Sequence, residues 1–329
     1  MRDMPSLRHR GLIVLGSAAA VTAAAIAYRR AQSGRQTGTE IGTGADRFED
    51  LGWGELEPPD EIAIPTADGA RLTAWDVGSG PAVVLSHGWA SSHAIWIPVA
   101  RRLVESGHRV VLYDQRGHGA STRGTSPLDT ITLARDYALV LEARDVADAI
   151  LAGHSMGGMT VMALATFQPE VLNQRGRAIV LVATAAANTS WRLPQSDRIA
   201  ARLMGSPYLS QAVRTANGLR FVRSAFGVDP VLAQMDLTRT LFADCDPGVR
   251  AGYVKSMSAM NLLEGIATIA VPTTVVVGSR DRLTPPARSQ TLVDTVPGAR
   301  LVTVPDRGHM LPLEDPAAVA DEIVRAVKG

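Results

Sequence analysis

Only one cysteine, Cys245, stands in 329 residues. A single thiol excludes an internal disulfide and every cysteine-rich metal site, and it leaves the redox compartment open. Charge is sparse as well: Asp, Glu, Lys and Arg make up 20% of the chain, and the formal net charge is +1. No block of Lys or Arg is interleaved with aromatics, so the electrostatic footprint of a nucleic-acid binder is missing. Acidic polymers are disfavoured as ligands on the same ground. Internal repeats are lacking too. What the chain does have is a 46% apolar fraction, enough for one large core or one core plus a small accessory module.

The first thirty residues differ from the rest. Gly11 to Tyr28 carry no charge and are bracketed by Arg8, Arg10, Arg29 and Arg30. A helix of 18 residues rises about 27 Å, close to a hydrocarbon core of about 30 Å. Residues 1–30 are therefore expected to be a hydrophobic anchor, with the chain held at a membrane by a single N-terminal helix. The alternative is an export signal cleaved near Ala25-Ile26-Ala27. Residues 31–58, polar and glycine-rich, are expected to be a flexible linker.

From Glu61 the pattern becomes regular. Ile62–Thr66 and Arg71–Trp75 flank an Asp68-Gly69 turn and predict an antiparallel hairpin. Nearly continuous apolar runs follow at 82–85, 110–113, 149–152, 178–182, 274–277 and 301–304, as strands buried on both faces require. Between them, helical periodicity is clearest over 96–106, 133–143, 156–167, 286–296 and 316–327. The alternation predicts an α/β fold: a doubly wound, mostly parallel sheet covered by helices, built from residues 59–187 and 261–329. Residues 188–260 break it. They contain helical patterns but no buried-strand run, and are expected to form a helical cap inserted at the carboxyl end of the sheet.

One stretch carries chemistry. In Ala152-Gly153-His154-Ser155-Met156-Gly157-Gly158 a lone hydroxyl sits among glycines between a predicted strand and a predicted helix. A G-x-S-x-G match arises by accident about 0.2 times in a chain of this composition, so the rest of the sequence must decide. A serine nucleophile needs a base and a carboxylate to orient it, here in the chain order Ser, acid, His. Six of the seven histidines precede Ser155, which leaves His309, just past the predicted strand at 301–304. The acid should also follow a strand. Asp281, after Val275-Val276-Val277, is preferred, and Asp306 is the competitor. The developing oxyanion needs two N–H donors: one from Met156, the residue after the nucleophile, and one from Trp89 in the loop Ser86-His87-Gly88-Trp89-Ala90. Gly88 lets that loop approach the substrate without a Cβ in the way.

These residues resemble the α/β-hydrolase superfamily, over about residues 60–328. Gly153-His154-Ser155-Met156-Gly157 looks like its nucleophile elbow, His87-Gly88-Trp89 like its oxyanion loop, and Gly278-Ser279-Arg280-Asp281 and Gly308-His309 like its acid and base loops. Asp114-Gln115-Arg116-Gly117-His118-Gly119-Ala120-Ser121 matches a family segment that shapes the scaffold, which implies structural roles for Arg116 and His118. Ser155 departs from the aspartate nucleophile of epoxide hydrolases and haloalkane dehalogenases. His154 departs from the asparagine usual in carbon–carbon bond hydrolases.

The resulting expectation is a serine hydrolase of carboxylic esters, preferring apolar acyl chains and acting through Ser155, His309 and Asp281 with no cofactor and no metal. Its partner is a small-molecule ester, lipid esters included, and no nucleic acid. A cofactor-free haloperoxidase or perhydrolase is the alternative, and a non-catalytic binding member of the fold is the third reading.

Overall fold

The structure is a computed structural model that describes residues 59–187 and 196–328, together with Leu51, Gly52 and Leu56. Each predicted apolar run becomes a strand: β1 (Ile62–Pro65), β2 (Arg71–Val77), β3 (Ala82–Ser86), β4 (Arg109–Tyr113), β5 (Ala149–His154), β6 (Gly176–Val182), β7 (Thr273–Gly278) and β8 (Arg300–Val304). They form one eight-stranded sheet in the order β1-β2-β4-β3-β5-β6-β7-β8. The β1–β2 and β2–β4 pairs are antiparallel and all the others parallel. This is the doubly wound, mostly parallel α/β sheet that the alternation predicts.

Side chains alternate across the pleat, so each apolar run serves two cores. On one face Val84, Leu151, Leu181 and Val275 join Tyr137 and Val140 of the helix Thr130–Ala143 and Met159 and Met162 of the helix Met156–Phe167. On the other, Val83, Leu85, Ile150, Val180 and Val276 join Val99 and Leu103 of the helix Ile97–Glu105 and Val319 and Ile323 of the helix Pro316–Lys328. A strand polar on either side would leave one of these layers without a floor.

The winding direction locates the crevice. β4 lies on one side of β3 and β5 on the other. The helix after β3 packs on one face, and the helix after β5 packs on the opposite face. The strand order therefore reverses between β3 and β5, and ligands of open α/β sheets bind beyond the carboxyl ends at such a point. Ser155 follows β5 and His87 follows β3, so both stand at its rim.

Between β6 and β7 the described chain forms helices Ser196–Met204, Pro207–Val213, Ala216–Arg223, Leu232–Asp244 and Pro247–Ala259. It enters and leaves them side by side, through an antiparallel bridge between Ala187 and Asn261. Arg250 knits them together. Fully buried, it donates through Nε to the Met204 carbonyl (3.0 Å), through Nη1 to that of Phe242 (2.7 Å) and through Nη2 to Ser210 Oγ (2.8 Å). Met204 and Phe242 lie in the last turns of two helices, where unpaired carbonyls and the helix dipole favour a cation.

One expectation is corrected here. Among the described residues no helix is long and apolar enough to cross a membrane. The longest, Thr130–Ala143, has 14 residues and rises about 21 Å, short of the hydrocarbon core. Residues 1–30, expected to be the anchor, lie outside the described residues, as does most of the linker 31–58. The membrane-anchored placement is withdrawn.

Candidate active site

The structure brings together residues far apart in the chain. His309 Nε2 lies 3.0 Å from Ser155 Oγ, and its Nδ1 lies 2.9 Å from Asp281 Oδ2. Asp306, the competing acid, is exposed and faces Arg280 at 3.3 Å instead. Asp281 is buried and saturated: Oδ1 accepts from the Leu283 and Thr284 amides (2.8 and 2.9 Å), and Oδ2 accepts from Thr284 Oγ1 (2.8 Å). Burial pushes its carboxyl up. The charge on His309 and the hydrogen bonds from His309 and Thr284 outweigh this and hold it below the usual carboxylate range. An ionised Asp281 fixes the imidazole proton on Nδ1, which leaves the Nε2 lone pair facing Ser155 Oγ.

Ser155 caps the helix Met156–Phe167 with φ 52° and ψ −116°. A non-glycine residue at positive φ costs about 1–3 kcal/mol and persists only where its surroundings over-determine it. Here they do. The Ser155 amide donates to the Val182 carbonyl (3.0 Å), and its carbonyl accepts from Thr184 Oγ1 (2.7 Å) and from the Met159 amide (3.1 Å). Two glycines make the turn possible. A Cβ on Gly153 would strike the Gly157 carbonyl, and one on Gly157 would strike the Ser86 carbonyl.

The loop after β3, expected to supply an oxyanion donor, is held by histidines. His87 Nε2 accepts from the Gln115 amide (2.9 Å), so its proton is on Nδ1, which donates to the Gly88 carbonyl (2.7 Å). In a trans peptide C=O and N–H point in opposite directions, so this bond turns the Trp89 N–H away from His87. His118 Nε2 accepts from Ala90, which is at φ 49°, at 3.1 Å. His118 thus holds the loop itself, closer to the site than a scaffold role implies, while Arg116 is the scaffold residue expected, paired with Asp136 and Asp68. Gly88 lies against the serine: a Cβ there would fall 3.3 Å from Ser155 Cβ and 2.9 Å from His154 Nδ1. Met156 is the first residue of its helix, so its N–H has no acceptor within it. The Trp89 indole donates to the Arg250 carbonyl (3.1 Å) and packs edge-on to Phe242, 5.6 Å between centroids, tying this loop to the helices between β6 and β7.

His154 fills a free position of G-x-S-x-G, and the sequence marks only its departure from the asparagine of carbon–carbon bond hydrolases, so the role it plays here was missed. Its Nε2 donates to the carbonyl of His309 (2.8 Å), so it holds the backbone of the base. Thr284 was missed too, although an Asp followed three residues on by Thr is a recognisable capping pattern. Among the described residues no cluster of His, Cys, Asp and Glu is arranged to hold a metal.

Burial, with smaller contributions from neighbouring histidines, lowers the pKa of His118 and of His154 to about 3. An unfolded histidine titrates near 6.5. Between these values the unfolded chain binds more protons, so stability falls as pH drops below about 6.5, by up to about 1.4 kcal/mol per pH unit for each group. Thermal melts at pH 7, 6 and 5 are expected to show a falling Tm. The fall should be shallower in His118→Gln, and equal slopes would contradict neutral burial of His118.

A family model described as "Alpha/beta hydrolase family" matches residues 83–322. The RutD protein of Azorhizobium caulinodans, whose name assigns it provisionally to carbamate hydrolysis, is 30% identical over 234 residues, covering 70% of this chain and 85% of its own. A pimeloyl-[acyl-carrier protein] methyl ester esterase of Xanthomonas campestris pv. campestris is 27% identical over 257 residues, covering 76% and 96%. Among solved structures, an esterase from Exiguobacterium antarcticum superposes with a TM-score of 0.72 at 21% identity, covering 82% of this chain and all of its own. At that identity the likeness speaks for the fold.

Proposed function

The chain belongs to the alpha/beta hydrolase family, and on that premise we propose that it is a serine hydrolase of carboxylic esters. The observation that carries the reading is the unbroken chain of contacts from Ser155 Oγ through the His309 ring to an ionised Asp281. His309 takes the Ser155 proton as the oxygen attacks the ester carbonyl, and Asp281 stabilises the imidazolium that forms. The Trp89 and Met156 amides receive the oxyanion. The proton on Nε2 passes to the leaving alcohol, and water, deprotonated by the same nitrogen, releases the acid and regenerates Ser155.

The helices between β6 and β7 act as the cap. The partly exposed Trp89 ring, backed by buried Phe242, lies at its base and suits an apolar acyl chain. The carbamate assignment of RutD favours carbamates as a second substrate class, since the same attack on a carbonyl carbon serves both.

The test is intact-mass analysis of the purified chain after fluorophosphonate treatment, beside Ser155→Ala. A single adduct on Ser155, absent from the variant, is expected. Turnover of p-nitrophenyl esters and of a p-nitrophenyl carbamate then ranks the two classes, and hydrogen peroxide added to the ester assay tests the alternative acyl acceptor. A folded chain that takes up no adduct would overturn the reading.

A further inference from the structure

Five residues beyond the base, Glu314 is half-buried in the turn Leu311–Glu314, and none of the steps above uses it. Its carboxylate accepts three backbone N–H groups. Oε1 and Oε2 receive the Gly308 amide at 3.1 and 3.0 Å, Oε1 the Met310 amide at 3.0 Å, and Oε2 the Gly227 amide at 2.7 Å. Gly308 and Met310 are the immediate neighbours of His309. We infer that Glu314 is a positioning residue for the base, clamping the peptide on each side of His309 and fastening both to the segment Ala225–Val228 of the cap. The inference rests on the serine-hydrolase reading of the same site.

The rest of the loop shows why a clamp is needed. His309 follows β8 on an irregular, buried segment, where the backbone has no ladder to hold it. Its own amide donates to the Ala225 carbonyl (2.7 Å), and its carbonyl accepts from His154. The Val228 amide donates to the Asp306 carbonyl (2.8 Å), and buried Phe226 anchors the cap segment between them. Arg223 Nη1 in turn holds the Gly227 carbonyl (2.8 Å). With Glu314 in place, the amide on each side of His309 and both of its own backbone groups have fixed partners. Without it, the N–H groups of both neighbours of His309 lose their acceptor and the base loop is held to the cap by fewer bonds.

No neutral side chain of this size replaces it. A glutamine can accept with one oxygen only, and its amide N–H groups must then face the backbone N–H donors. Burial pushes the Glu314 carboxyl above its ordinary range, against the pull of the three amides and of nearby Arg307. A buried carboxylate kept for amide donors alone makes sense where backbone geometry matters more than the desolvation it costs.

The test compares Glu314→Ala, Glu314→Gln and Gln234→Ala in the full chain by steady-state hydrolysis of p-nitrophenyl butyrate. Gln234 donates to the neighbouring Leu313 carbonyl (2.6 Å) without touching the base loop, so it controls for general loosening of the turn. A displacement of the base by about 1 Å costs on the order of 100-fold. Glu314→Ala is therefore expected to lose about 10- to 100-fold in kcat with KM within about twofold. Glu314→Gln should lose less, and Gln234→Ala should keep the parent kcat. The low-field Nδ1–H resonance of His309, bonded to Asp281, reads the same displacement without turnover. It should move or vanish in Glu314→Ala and stay in Gln234→Ala. A parent chain that neither labels nor hydrolyses would count against the hydrolase reading, and the resonance would then decide the role of Glu314 alone. An unchanged resonance overturns the inference, as does an unchanged kcat in the folded variants. If Glu314→Ala does not fold, the isosteric Glu314→Gln decides by the same two readouts.

Discussion

Replacing Ser155 with alanine is expected to abolish ester turnover, with kcat lower by on the order of 10⁶-fold and the folded structure intact. Removal of the nucleophile in a Ser-His-Asp site costs about that much, because the remaining groups act only through it. The same position supports a second, independent measurement. Ser155 is held at φ 52° by bonds to Val182, Thr184 and Met159 that belong to its backbone and survive any side-chain change. Alanine keeps the strain and should leave Tm nearly unchanged. Glycine adopts positive φ without steric cost, so Ser155→Gly is expected to be inactive but more stable than Ser155→Ala, by about 1 kcal/mol. Activity and thermal melts of the pair separate the two roles of the residue. A glycine variant no more stable than the alanine one would contradict a strained turn.

The second large effect is expected at the acid. Asp281→Asn keeps the shape of the side chain but removes the charge that fixes the His309 proton on Nδ1. With an amide N–H facing Nδ1, the imidazole takes the other tautomer and presents an N–H to Ser155 in place of a lone pair. A loss of about 10⁴-fold in kcat is expected, as for the same change in a serine protease triad. Asp306→Asn, the control, should change kcat by less than about threefold, since its partner is the exposed Arg280, and exposed pairs are worth about 0–1 kcal/mol. Equal losses at the two positions would mean that the base is oriented from elsewhere. The acid limb adds a stability reading. The folded pKa of Asp281 is depressed, so its contribution is present above the unfolded carboxylate value near 3.9 and is lost as pH falls through the folded value.

The two effects draw on different parts of the fold. Ser155 is set by its neighbours: β5, the helix that follows, and glycines placed so that backbones touch. Asp281 and His309 reach it from β7 and β8, two and three strands away along the sheet. Trp89 comes from the opposite side, after β3, and its indole binds the cap at Arg250 while Glu314 binds the cap at Gly227. The segment between β6 and β7 therefore touches both the Trp89 loop and the His309 loop. Changes at those two contacts are expected to alter kcat as well as substrate choice.

Much of this was legible before any coordinates. Strands buried on both faces must be apolar at nearly every position, so the runs at 82–85, 149–152 and 274–277 announced themselves by composition. Helix limits were less exact. The helix read from Leu133 begins at Thr130, because the Asp129 side chain accepts from the Thr132 amide at 2.8 Å and nucleates a turn that carries little apolar period. The order Ser155, Asp281, His309 followed from where those residues stand relative to strands. That is a local property, readable from periodicity and composition.

What only the tertiary structure decided are matters of partnership. The sequence prefers Asp281 to Asp306 only by its place after a strand, whereas the contact itself, 2.9 Å from His309 Nδ1 to Asp281 while Asp306 faces Arg280, is a matter of packing. Nothing in the sequence shows what His154, His118, Thr184 and Glu314 bind: each is defined by a backbone group it holds, and that group belongs to another element or loop in every case. His309 and Ser155 are 154 residues apart yet share a hydrogen bond. Solvent exclusion is averaged along a segment and leaves its mark on composition, whereas a hydrogen bond depends on one distance and one angle between groups that the sheet alone brings together. Composition and periodicity therefore determined the sheet and the place of Ser155 on it, and the packing of β3, β5, β7 and β8 determined which side chains meet there and which nitrogen of each imidazole carries the proton.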